Sequence, residues 1–128
     1  MSYYFTKTVG STFEDTLERA TAALKEQGFG VLTVIDVQET LKKKLNVEFR
    51  KYRILGACNP PFAYKALQAE DKIGVLLPCN VIIQETVDGD VEVSAMDPAE
   101  AMGMIDNPDL KEVSEQVRSR LQRVVDSL

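Results

Sequence analysis

Two periodicities of apolar residues divide this chain. Tyr3 to Val9, Gly30 to Ile35, Val81 to Val87 and Val91 to Met96 are short runs rich in aromatic and β-branched residues, as strands require. Between and after them the spacing changes. Phe13, Leu17, Ala20 and Leu24 fall at i, i+4, i+7 and i+11, one face of an α-helix. Ser11 or Thr12 precedes that face as its cap, Glu14 or Asp15 completes a capping box, and Gly28 stands at the expected left-handed stop. Near the C-terminus Leu110, Val113, Val117, Leu121, Val124 and Leu128 recur every three or four positions after Asn107-Pro108. About five turns with one apolar stripe must lie across another apolar surface, most simply a sheet.

The remaining segments read less simply. Asp36 and Glu39 open a short helix with Val37, Leu41, Lys44 and Leu45 along one edge. Val47 and Phe49 share one parity and Tyr52, Ile54 and Gly56 the other, which predicts a strand with a bulge near Arg50-Lys51. Asn59 is placed to cap a helix with Pro60 at its first position and Phe62, Ala66, Leu67 and Ala69 packing inward. Ile73 to Leu77 reads as a strand. Asp88-Gly89 marks a hairpin, and a three-residue loop pairing Val87 with Val91 and Ile83 with Ala95 gathers Gln84, Thr86, Glu92 and Ser94 on a wet face. That register sets Glu85 on the apolar face, opposite Val93. Asp97-Pro98 begins a helical turn ending near Gly103. The whole predicts a single α+β domain over residues 1–128: a curved antiparallel sheet packed by the first helix and the long last one.

Composition changes this picture little. The 128 residues are 45% hydrophobic and 27% charged, ordinary for a globular protein that folds without staples. No apolar run approaches the roughly 18 residues of a membrane span, and the N-terminus does not read as a signal peptide. A cytoplasmic location and free thiols are the expectation. A net charge of −5 argues against sequence-independent nucleic-acid binding. Charge is uneven, however. Lys42, Lys43, Lys44, Arg50, Lys51 and Arg53 cluster around Glu48, whereas no Lys or Arg lies between Lys72 and Lys111, a stretch that holds acids such as Glu85, Asp88, Asp90 and Glu92. Either both are solvated faces, or the basic stretch receives an anion or a second subunit's acidic face.

Candidate chemistry gathers at the ends of the apolar runs. The two cysteines of the chain, Cys58 and Cys79, each directly precede an asparagine, Asn59 and Asn80, and the chain has no histidine. Cys58 stands before a helix N-terminus, where the positive dipole end favours a thiolate, although buried inert cysteine is the commoner case. A nucleophilic thiol also needs a base, and only Glu85, Asp97 or a lysine such as Lys44 is on offer. The interval of 21 positions between the cysteines is no zinc-ribbon spacing, and no metal site is expected.

At these residues the chain resembles a known family. Gly28-Phe29-Gly30-Val31-Leu32-Thr33, Tyr52-Arg53-Ile54-Leu55-Gly56-Ala57-Cys58-Asn59-Pro60-Pro61, Leu76-Leu77-Pro78-Cys79-Asn80-Val81 and Met96-Asp97-Pro98 are similar to domain-of-unknown-function family 302. The resemblance implies a TATA-binding-protein-like α+β fold and a homodimer, and brings no activity, substrate or cofactor with it. The expectation is a small-molecule-binding module whose pocket has Cys58, Asn59, Cys79 and Asn80 at its polar end, with Lys44 and Glu85 as further members. Two alternatives stand beside it: a thiol enzyme or redox sensor with Cys58 as thiolate and Cys79 resolving it, and a structural or partner-binding protein without ligand.

Overall fold

The computed structural model describes residues 2–128. Its sheet has five antiparallel strands in the order β1 (Tyr4–Val9), β5 (Val91–Met96), β4 (Cys79–Glu85), β3 (Tyr52–Cys58), β2 (Gly30–Asp36). Helices α1 (Phe13–Glu26) and α5 (Pro108–Asp126) lie against one face. Thr12 caps α1 by accepting from the Asp15 amide, and Asn107 caps α5 by accepting from Asp109 and Leu110. The α5 stripe buries Leu110, Val117, Leu121 and Val124 as its spacing requires, with Ser114 and Val125 added. Short helices α2 (Val37–Leu45), α3 (Pro60–Ala69) and α4 (Pro98–Ala101) fill the connections. Asp36 caps α2 and Asp97 caps α4. The second carboxylate oxygen of buried Asp97 holds Arg118 of α5 at 3.0 Å.

The buried side chains form two clusters. The larger joins Phe13, Ala20 and Leu24 of α1 to Leu55, Val81, Ile83 and Val93 of the sheet and to Leu121 and Val124 of α5. The smaller holds Ala66, Ile73, Met102 and Leu110, where α3 and α4 meet the start of α5. The gap between these two cores positions the site described below.

Four local expectations are corrected. Ile73 to Leu77 is no strand: Asp71–Leu76 forms a 3-10 helix, with Ile73 buried and Val75 exposed. Both lateral edges of β4 are already taken by β3 and β5, so the segment leading into β4 finds no free edge beside it. The bulge falls in β2, between Val31 and Thr33, rather than at Arg50-Lys51, and β3 begins only at Tyr52. In the hairpin Ile83 pairs with Val93 and Glu85 with Val91, two residues from the expected register. The loop is Val87 to Gly89, closed by the Thr86 amide on the Asp90 carbonyl at 2.7 Å, and Gly89 adopts φ +86°. Both registers have the same parity and sort polarity equally well. The left-handed glycine decides between them. Finally, Asn59 stands at the head of α3 but its side chain makes no cap there. Its amide nitrogen donates instead to the Gln27 carbonyl at 3.2 Å, satisfying the C-terminal end of α1.

Candidate functional site

Cys58 ends β3 and Cys79 begins β4, and antiparallel pairing brings those two ends together, with Ala57 directly opposite Cys79. Proline follows or precedes each: Pro60 starts α3, while Pro78 follows Leu77 through a cis peptide bond. Pro78 and Thr33 both lie against Gly56, whose missing side chain lets them approach. A Cβ there would stand 2.9 Å from the Pro78 ring and closer still to the Thr33 hydroxyl. Gly28, at φ +87°, plays a similar part beneath Asn59, whose amide nitrogen would lie 3.0 Å from a Cβ.

This end of the sheet opens into a cavity of about 310 Å³ between the two cores. Cys58, Asn59 and Cys79 line it from the sheet side, Phe62, Ala63 and Ala66 from α3, and Met102, Ser114 and Val117 from the α4–α5 side. Its walls are almost wholly apolar. Buried Ser114 turns its hydroxyl to the Leu110 carbonyl of its own helix at 2.9 Å, away from service to a ligand. Leu32, the residue that the β2 bulge passes over, is 67% exposed yet lines the cavity, so the bulge re-aims an apolar side chain at its mouth.

The remaining sequence candidates lie elsewhere. Asn80 pairs with Gly56 and is exposed, one step along the strand from Cys79 and therefore on the opposite face of the sheet. Glu85 ends β4, six residues from Cys79, or about 20 Å along the strand. Lys44 is exposed on α2. None of the three lines the cavity. The sequence reasoning in turn missed Leu32, Phe62, Ala63, Met102, Ser114 and Val117. Helical spacing marked Phe62 and Val117 only as core, and the gap between cores has no signature in a linear pattern.

Electrostatics separates the thiols. Burial, and secondarily the nearby Cys58, pushes the Cys79 thiol up to about 11. At neutral pH it is protonated, an apolar wall rather than a nucleophile. The basic stretch is largely satisfied from within: Lys42 pairs with Glu48, Lys43 with Glu39, Lys51 with Glu14 and Arg53 with Asp36, while Arg50 donates to Gln84. These pairings favour the solvated-face reading of that stretch. Among the described residues no three of the His, Cys, Asp and Glu side chains gather as a metal site would need, and no helix is long and apolar enough to cross a membrane.

Comparison with known proteins adds one firm result. The model of the family "Domain of unknown function DUF302" matches residues 5–128. The chain belongs to the DUF302 family. A crystal structure of an uncharacterized conserved DUF302 protein from Bacillus stearothermophilus is similar to it with a TM-score of 0.91 and 31% identity, over 98% of each chain. The DUF302 fold expected from the motifs, an α+β antiparallel sheet under helices, is therefore the fold of this chain. No curated protein matches. The family has no established function, so this DUF302 chain must be read from its own site.

Proposed function

We propose that this protein is a non-catalytic module that binds a small, mainly apolar molecule. The observation that carries the reading is the cavity of about 310 Å³ between two otherwise close-packed cores, open at Leu32 and walled by side chains from six elements. Protein interiors seldom leave such a gap unfilled, and its size lies at the lower end of the roughly 300–1,000 Å³ of small-molecule pockets. Asn59, Cys58 and Cys79 supply the few polar atoms, although the Asn59 amide nitrogen is already engaged with Gln27.

The thiol-enzyme alternative draws on the same two cysteines, which do share a wall. Its resolving thiol is held protonated, and no histidine exists to deprotonate either one. Both facts favour binding over catalysis. The same reading takes the protein as a cytoplasmic homodimer. The outer edge of β2, where Leu32, Val34 and Ile35 stand exposed, supports a second copy as partner.

Native mass spectrometry of protein purified without denaturant from its own source tests the proposal. A small-molecule adduct that disappears on unfolding is the expected result. Bare protein, with no gain in Tm across a panel of small apolar compounds, would reject it.

A further inference from the structure

The cavity wall is rich in sulfur. Cys58 and Cys79 line it from β3 and β4, and Met102, which ends α4, lines it from the helix side. The chain has two cysteines, and both stand here. Strand register brings them together. Cys79 pairs with Ala57, so Cys58 is one step away on a neighbouring strand, and paired strands lie about 4.8 Å apart. The thioether is free to bind as well. Met102 Sδ lies 3.4 Å from the Ser114 hydroxyl, whose single proton goes to the closer Leu110 carbonyl at 2.9 Å. Sulfur in a core ordinarily packs against carbon on every side. Here three sulfur side chains border an opening instead.

The donor set selects what can fill it. No imidazole, carboxylate or amine side chain lines the cavity, so a hard cation finds little there and zinc falls short of its usual four ligands. Two thiols and a thioether suit a soft univalent ion, which is content with two or three sulfurs. Binding such an ion releases one proton from each thiol to solvent and moves no electron. Two thiolates around a univalent ion leave one net negative charge. Helix α3 starts just after Cys58-Asn59 and carries no side-chain cap, because Asn59 is turned to Gln27, so its positive end is left for that charge. Cys58 is only half-buried, which gives the ion a way in.

We propose that Cys58, Cys79 and Met102 hold a soft univalent metal ion, Cu(I), in this cavity. The site goes beyond the binding reading above and does not depend on it: the ion takes the sulfurs, and the apolar remainder of the cavity keeps water from it.

The test titrates the full chain, reduced and without oxygen, with Cu(I) against the chelator bicinchoninate, and with Zn(II) as control. One Cu(I) per chain is expected, with Zn(II) held far more weakly. Cys58→Ala and Cys79→Ala should each lose more than about a hundredfold in affinity, since disturbing even the groups behind a ligand costs roughly 10–100-fold. Met102→Leu, of similar volume, should weaken binding while the chain stays folded. Wild type supplies a readout of its own should Cys79→Ala fold poorly: one equivalent of Cu(I) shields Cys58 from iodoacetamide, and native mass spectrometry finds the ion on a single chain. Unslowed alkylation, binding that survives loss of either cysteine, or one ion shared between two chains overturns the site. Binding untouched by Met102→Leu strikes the thioether from it. Wild type that takes no Cu(I), while apolar compounds raise its Tm, overturns the metal site and leaves the binding reading standing. Cu(I) binding without any such rise supports the metal site and removes the apolar ligand.

Discussion

The two cysteines differ less in sequence than in what surrounds them. Each precedes an asparagine at the end of a strand, but Cys79 is 6% exposed and Cys58 is half-buried. Loss of hydration raises the Cys79 thiol from 9.0 to about 11, and the consequence for stability has a definite sign. The folded state disfavours the thiolate relative to the unfolded chain, so the contribution is complete below pH 9 and is lost as pH rises from about 9 to about 11. Its size is about 2–3 kcal/mol. Urea titrations of wild type and Cys79→Ala across that range measure it: wild type should lose the larger amount. At neutral pH an alkylating reagent should modify Cys79 only as fast as the protein unfolds. Parallel stability curves for the two proteins would mean that Cys79 is better hydrated than its burial implies. The two asparagines diverge similarly, since Asn59 ties α3 to the end of α1 while Asn80 faces away from the helices. Asn80 follows Cys79 within β4 and so faces the other way, whereas Asn59 lies beyond the end of β3 and can line the cavity beside Cys58.

Elements were legible where one physical signal sufficed. Both long helices follow from spacing and caps, and Thr12, Asp36, Asp97 and Asn107 accept the amides that their positions predict. Legibility failed where two structures satisfy one pattern. Polarity could not separate two hairpin registers of equal parity, and only the left-handed Gly89 does. Ile73 to Leu77 is apolar enough for a strand, but the sheet has no vacant edge beside β4. Of the candidate site, Cys58, Asn59 and Cys79 were found because turn residues and thiols stand out among apolar runs. The helix side of the cavity was not, because lining and core residues have the same chemistry. Val117 belongs to both, lining the cavity and packing in the larger cluster. Val117→Asp would place an unpaired charge in that seam and should destabilise by about 3 kcal/mol or more. Chemical denaturation checks this, and an unchanged midpoint would mean that α5 does not lie across the sheet as described.

At the scale of the molecule, two cores have been kept apart where a single one would hold the chain more firmly. Several wall residues are small: Ala63 and Ala66 of α3 and Ala57 of β3 all face the gap. Each forgoes apolar contact that a larger side chain would make. If the space serves a ligand, filling it should raise stability and abolish binding together, the usual opposition between a packed interior and a working site. Ala63→Leu is the suitable change. Ala63 is only half-buried, so the added carbons can enter the void without forcing α3 off the sheet, and alanine to leucine costs a helix little. The expected gain is about 1 kcal/mol in the ligand-free protein, read as a rise in Tm of a few degrees, with the small apolar compounds that stabilise wild type no longer raising it further. A loss of stability in Ala63→Leu would mean that the gap is already filled by the relaxation of Phe62 and Met102. A gain that leaves ligand binding intact would place the binding site elsewhere. Only the paired result, a firmer protein that no longer binds, fits a molecule whose two cores are separated by the space for a third component.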